Sequence, residues 1–131
     1  SYNLTNILFH PAVPKEEIAR VVSGCDACLT IFRAAREQTW SPNKLFDALA
    51  AGKPILVNVS GWLSDTLVQS RCGQYVDPLR PEALADALVE LSLDPILCRQ
   101  MGANARQLAE REFDRRKLAA QLEGVLMSTL N

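Results

Sequence analysis

The chain has 131 residues, 48% of them hydrophobic and 22% charged, which gives room for one domain with a real core and argues against disorder. With 14 Lys and Arg against 15 Asp and Glu the net charge is -1, so no general electrostatic pull draws it to nucleic acid or anionic lipid, and any phosphate site must be local. No apolar run approaches the ~20 residues that cross a bilayer and no charged-then-apolar leader opens the chain. It therefore reads as a soluble segment, and its start directly on a strand-like stretch suggests a piece excised from a longer protein.

In chain order, Ile7-Leu8-Phe9-His10 is a short apolar run halted by Pro11, which predicts a strand emptying into a loop. Pro14 to Val22 predicts a helix of about two and a half turns, with proline at its start, Glu16 and Glu17 in the first turn, and Ile18, Val21 and Val22 on one side. Asp26 to Phe32 predicts a strand covered on both faces. Arg33 to Trp40 is a polar connection at the carboxyl end of that strand, where open α/β sheets place their ligands.

Ser41 then reads as an N-cap and Pro42 as the first residue of a helix that Gly52 terminates. The N–H groups of Asn43 and Lys44 are expected to point outward unpaired, making a small anion-binding end. Leu45, Phe46, Leu49 and Ala50 form an apolar stripe, while Asn43 and Asp47 share a polar one that begins at the same N-terminus. A phosphate at the tip and a hydroxylated group along the side would fit that face.

Ile55 to Val59 is a β-branched run suited to the interior of a parallel sheet. Trp62 to Arg71 predicts an amphipathic helix and Gln74 to Val76 a last short strand. Leu84, Leu88 and Leu91 mark a further helix. Asp94-Pro95 opens another, which continues or kinks near Gly102 toward Glu112, and Asp114 caps a final helix whose Leu118, Leu122, Val125 and Leu126 form an apolar stripe that is core or packs on an absent domain. Alternating strands and helices argue for a Rossmann-like α/β fold, a parallel sheet flanked by helices with a helical C-terminus. Four short strands are few for such a sheet: either it is small or its first strands lie upstream of residue 1.

Cys25 and Cys28 make a C-x-x-C spacing, but a metal site wants a second close pair, and Cys72, Cys98 and the lone His10 do not supply one. A redox motif should open a helix, whereas this pair lies where a helix ends and a strand begins. Free thiols in a reducing compartment are the expectation. His10 reads as a strand-end side chain, Trp40 and Trp62 as packing residues, and Arg33, Arg36 and Glu37 as a solvated loop.

Ser41-Pro42-Asn43-Lys44-Leu45-Phe46-Asp47-Ala48-Leu49-Ala50-Ala51-Gly52-Lys53-Pro54 resembles the signature of bacterial group 1 glycosyltransferases, retaining enzymes of the two-Rossmann-domain GT-B type. The match is to the subset with a "SPNKLFDYLAAGKP" version, which acts in lipopolysaccharide, capsule or exopolysaccharide assembly. Flanking segments agree in order: Val13 to Ile18 is similar to the family's "VP-x-E-E-I", Cys25 to Leu29 to its "ADVCL", and Met101 to Arg106 with Phe113-Asp114-Arg115 to its "MG-x-NAR…FDR" tail.

The resemblance implies that residues 1–131 are the distal part of the C-terminal donor-binding domain of a cytoplasmic enzyme, peripheral at the inner face of the membrane. Its donor is a nucleotide-diphosphate sugar of UDP or GDP type, its acceptor a lipid-linked or saccharide glycan held by an N-terminal domain, and it implies no cofactor and no metal. Carried over, Asp47 takes the position of the second of two glutamates separated by seven residues, which hydrogen-bonds the ribose hydroxyls. Ser41, Asn43 and Lys44 would receive the diphosphate. The first, sugar-facing glutamate falls on Thr39, with Glu37 two positions early. The family's basic diphosphate clamp has no counterpart, Pro11 stands where the family often has glycine, and no catalytic residue is assigned, so this segment alone is expected to bind donor weakly and catalyse nothing. Two other readings are a noncatalytic α/β protein-interaction module and a sugar-nucleotide epimerase of related fold.

Overall fold

The computed structural model describes residues 4–32 and 42–130. Three short strands, β1 (Cys28–Thr30), β2 (Ile55–Val57) and β3 (Gly73–Tyr75), pair in parallel in the order β1-β2-β3. Cys28 stands opposite Ile55, and Ile55 opposite Gly73. Parallel strands need helical crossovers. These are α2 (Asn43–Ala50) between β1 and β2, and α3 (Trp62–Gln69) between β2 and β3. Helix α1 (Lys15–Ser23) precedes the sheet, and α4 (Pro81–Leu93), α5 (Pro95–Glu112) and α6 (Arg115–Ser128) follow it. The α/β class and the helical C-terminus agree with the sequence.

Strand β2 is buried at all three positions, as its continuous Ile55-Leu56-Val57 run requires when both faces are covered. On one face Ile55 and Val57 pack with Leu45, Ala48 and Leu49 of α2, Leu63 and Leu67 of α3, and Ala105 and Leu108 of α5. On the other, Leu56 packs with Ala87 and Leu91 of α4 and Met101 of α5. Helix α5 reaches both clusters and is continuous through Gly102.

Several expectations are corrected. Ile7 to His10 is not a strand: β1 pairs with β2 and no strand in the described residues lies on its other side, so this run has no ladder to join, and Leu8 and Phe9 are 91% and 96% exposed. The sheet therefore has three strands among the described residues, not four. The stripe of α6 is not core, since that helix buries no residue and Leu122 is 60% exposed. Ala50 is exposed and Ala48 takes its place in the α2 core face. Trp62 is half-exposed, and Trp40 lies outside the described residues. Cys25, Cys28, Cys72 and Cys98 are free thiols, with Cys72 buried; burial pushes its thiol up to about 11. Burial also raises Cys28, helped by the neighbouring Cys25 and opposed by Lys53.

Candidate functional site

Helix α2 is fixed firmly at its C-terminus. Gly52 takes the left-handed φ of 67° after the cap residue Ala51, its N–H donates to the Leu49 carbonyl, and the Lys53 N–H donates to that of Ala48. This is the Schellman arrangement that the Ala51-Gly52 sequence announces.

The N-terminus differs by one residue from expectation. Pro42, with ψ of 130°, is the N-cap, and the helix begins at Asn43. The extended ψ keeps Pro42 out of the helix, and its side chain has no oxygen with which to cap; Ser41 lies outside the described residues, as do Thr39 and Glu37. The Pro42 carbonyl accepts from the Leu45 N–H at 3.0 Å. The N–H groups of Asn43 and Lys44 thus start the helix without intrahelical acceptors, and both residues are exposed.

The remaining site residues divide between two directions. Asn43 and Asp47 line a groove of about 490 Å³ together with Phe46, Lys15, Phe113, Arg115 and Leu118. Asp47 is half-buried, and among the described residues its carboxylate has no hydrogen bond or ion pair. Lys44 turns the other way, its Nζ 5.8 Å from the centre of the Phe32 ring. Phe32 continues β1 beyond its last paired residue and is braced by Asn58: the Phe32 N–H donates to Asn58 Oδ1 at 2.7 Å, and Asn58 Nδ2 donates to the Phe32 carbonyl at 2.8 Å. Both sites therefore sit at the carboxyl ends of the strands, where this fold class binds ligands.

Sequence reasoning missed Lys15, Arg115, Phe32 and Asn58. Lys15, Asn43 and Arg115 are the first residues of α1, α2 and α6, so three helix starts converge on one groove. The starts themselves were legible; their meeting depends on α5 running back along α2 to place Phe113 edge-on to Phe46, with ring centroids 5.0 Å apart. A larger groove, about 610 Å³, lies at the opposite end of the sheet beside Asp26 and Ala27, against the apolar Leu88, Leu91 and Pro95. It lacks the position expected of a ligand site in this fold.

A family model described as glycosyl transferase-like matches residues 1–124. The chain belongs to that family. Among solved structures, sucrose-phosphate synthase from Thermosynechococcus elongatus has a similar fold, with a TM-score of 0.81 at 23% identity over 94% of this chain. The fold is thus that of a GT-B glycosyltransferase domain. The chain spans 30% of that protein's length. No curated protein matches the chain significantly. Among the described residues, α2 and the groove beside it bring together exposed backbone donors, two cations and a carboxylate.

Proposed function

We propose that the chain is the distal part of the C-terminal, donor-binding domain of a retaining two-domain bacterial glycosyltransferase, of the group that builds cell-surface polysaccharide. The observation that carries this reading is the first turn of α2: Asn43 and Lys44 are exposed at the helix start, and Asp47 one turn on lines an open groove at the carboxyl side of the sheet. A nucleotide diphosphate laid there would set its pyrophosphate against the N–H groups of Asn43 and Lys44. Asp47 would accept from the ribose hydroxyls. Lys15 and Arg115 in the groove, and Lys44 on its other side, would supply positive charge. In transfer, donors aimed at the departing diphosphate stabilise the charge that develops as the glycosidic bond breaks, an electrostatic contribution that needs no nucleophile from this chain. The acceptor, lipid-linked or saccharide, belongs to the other domain of the whole enzyme, which would work in the cytoplasm or at the inner membrane face. Among the described residues no helix is long and apolar enough to cross a membrane.

Titrating isotopically labelled chain with UDP, GDP and their sugars tests this. Amide shifts at Asn43 through Asp47, with Lys15 and Arg115 following, are the expected result. Silence with every nucleotide at millimolar concentration overturns it and leaves the protein-interaction module, which the exposed apolar stripe of α6 favours.

A further inference from the structure

Gly102, Asn104 and Arg106 lie within two turns of α5, and each meets the turn that ends another helix. At Gly102 a Cβ would collide with the Gly52 carbonyl oxygen, so glycine there admits α5 to backbone contact with the α2–β2 turn. Asn104 Nδ2 donates to the Arg71 carbonyl at 3.0 Å, in the turn between α3 and β3, where Arg71 has a φ of 51°. Arg106 Nη1 donates to the Ala50 carbonyl at 2.6 Å while its Nε donates to Glu110 Oε1 at 2.7 Å.

The Ala50 carbonyl is the one the α2 turn leaves over. The carbonyls of Asp47, Ala48 and Leu49 accept from the N–H groups of Ala51, Lys53 and Gly52. Ala50, the last helical residue, receives its donor from a side chain 56 positions away, and that donor is a cation at the negative end of the helix. Apolar packing of Leu45, Ala48 and Leu49 holds α2 against the sheet, and the hydrophobic drive behind it is non-directional. The charge-assisted hydrogen bond from Arg106 adds a directional restraint at the end of the helix.

We propose that Arg106 is a positioning residue for the donor site: with Gly102 as the spacer, it sets the axial register of α2 and so the placement of Asp47 one turn away and of Asn43 and Lys44 roughly 10 Å away at the other end. The proposal rests on the donor reading of α2. Asn104 is the internal control, since it makes the same kind of contact from the same helix to a turn that α2 does not share.

The test compares Arg106→Met, which keeps the stem and loses the donors, with Arg106→Lys and Asn104→Ala in the full-length protein. Affinity is read by calorimetry with UDP and GDP, and helix order by amide hydrogen exchange at Phe46 to Ala50. For whichever nucleotide the unaltered protein binds, Arg106→Met should weaken affinity about tenfold, the scale on which small misplacements act, and speed exchange in α2 more than in α5. Arg106→Lys, which can still donate to the Ala50 carbonyl, should recover most of the affinity, and Asn104→Ala should leave it unchanged. Equal losses in Arg106→Met and Asn104→Ala, or no loss in Arg106→Met, overturn the proposal. If Arg106→Met does not fold, Arg106→Ala takes its place against the same Asn104→Ala control: a loss of affinity that Arg106→Lys reverses upholds the proposal, and no loss, or a loss that Arg106→Lys shares in full, overturns it. If the unaltered protein binds neither nucleotide, the donor reading fails by itself. The clamp then stands or falls on exchange alone, faster at Phe46 to Ala50 in Arg106→Met or not.

Discussion

Helices α5 and α6 follow one another in sequence and open alike. The Asp94 carboxylate accepts from the N–H groups of Ile96 and Leu97, and that of Asp114 from the N–H of Arg116. Both carry apolar residues at helical spacing. Yet α5 buries Met101, Gly102, Ala105 and Leu108, while α6 buries nothing. What separates them is fit. Gly102 lies against the Gly52 backbone, and Arg106 and Asn104 reach carbonyls on two other elements; the glycine of α6, Gly124, has nothing within 4 Å of where its Cβ would stand. Amphipathic spacing states that a face wants cover, and only complementary shape and polar contacts determine whether this chain provides it.

The largest expected effect contrasts one leucine from each helix. Leu108→Ala should cost roughly 2–5 kcal/mol in urea unfolding, because it empties a position 2% exposed in the core. Leu122→Ala should stay within about 0.5 kcal/mol. A comparable loss at Leu122 would mean that α6 is covered in solution and would erase the contrast.

The glycines should respond with opposite sign. Gly102→Ala forces the α2–β2 turn and α5 apart and should destabilise by about 1–3 kcal/mol. Gly124→Ala, with open space around it, should stabilise α6 by about 0.5–1 kcal/mol through helix propensity. Thermal unfolding of the two variants reads both.

The smallest effect is electrostatic. The Asp114 carboxyl is held below its usual 3.8, first by the hydrogen bond from the Arg116 N–H, with the Arg116 side chain adding to it. A depressed value means that its contribution is present above pH 3.8 and is lost as pH falls through the lower folded value. Helicity by circular dichroism should therefore drop slightly on acidification below that point. Asp114→Asn, which caps without titrating, should remove the step.

What the residues revealed alone follows the range of the interaction involved. The buried run of β2, the Gly52 stop after α2, and the caps at Asp94 and Asp114 are decided within four or five residues, and each was legible. Ile7 to Phe9 was misread because an apolar run becomes a strand only if a neighbour accepts its ladder, which lies outside the run itself. The α6 stripe takes no cover from the described residues, which overturns its core reading for the same reason and leaves the reading as a face for another domain standing. In the candidate site, Asn43, Lys44 and Asp47 are singled out by helix spacing, while the Asn58 brace on Phe32, 26 residues off, and the arrival of Lys15 and Arg115 at the Asp47 groove depend on the finished fold. Asn58 does leave a trace, as a polar residue between Val57 and Val59 in an apolar run.

The outer side of β1 has a practical consequence for handling the protein. Its backbone faces no strand among the described residues, and Leu29 and Ile31 are 42% and 38% exposed beside it. Such a rim can accept a further extended segment, and many natural sheets deter unwanted ones with lysine. In this chain handled by itself, Leu29→Lys would set a charged border on that seam and keep concentrated samples clear.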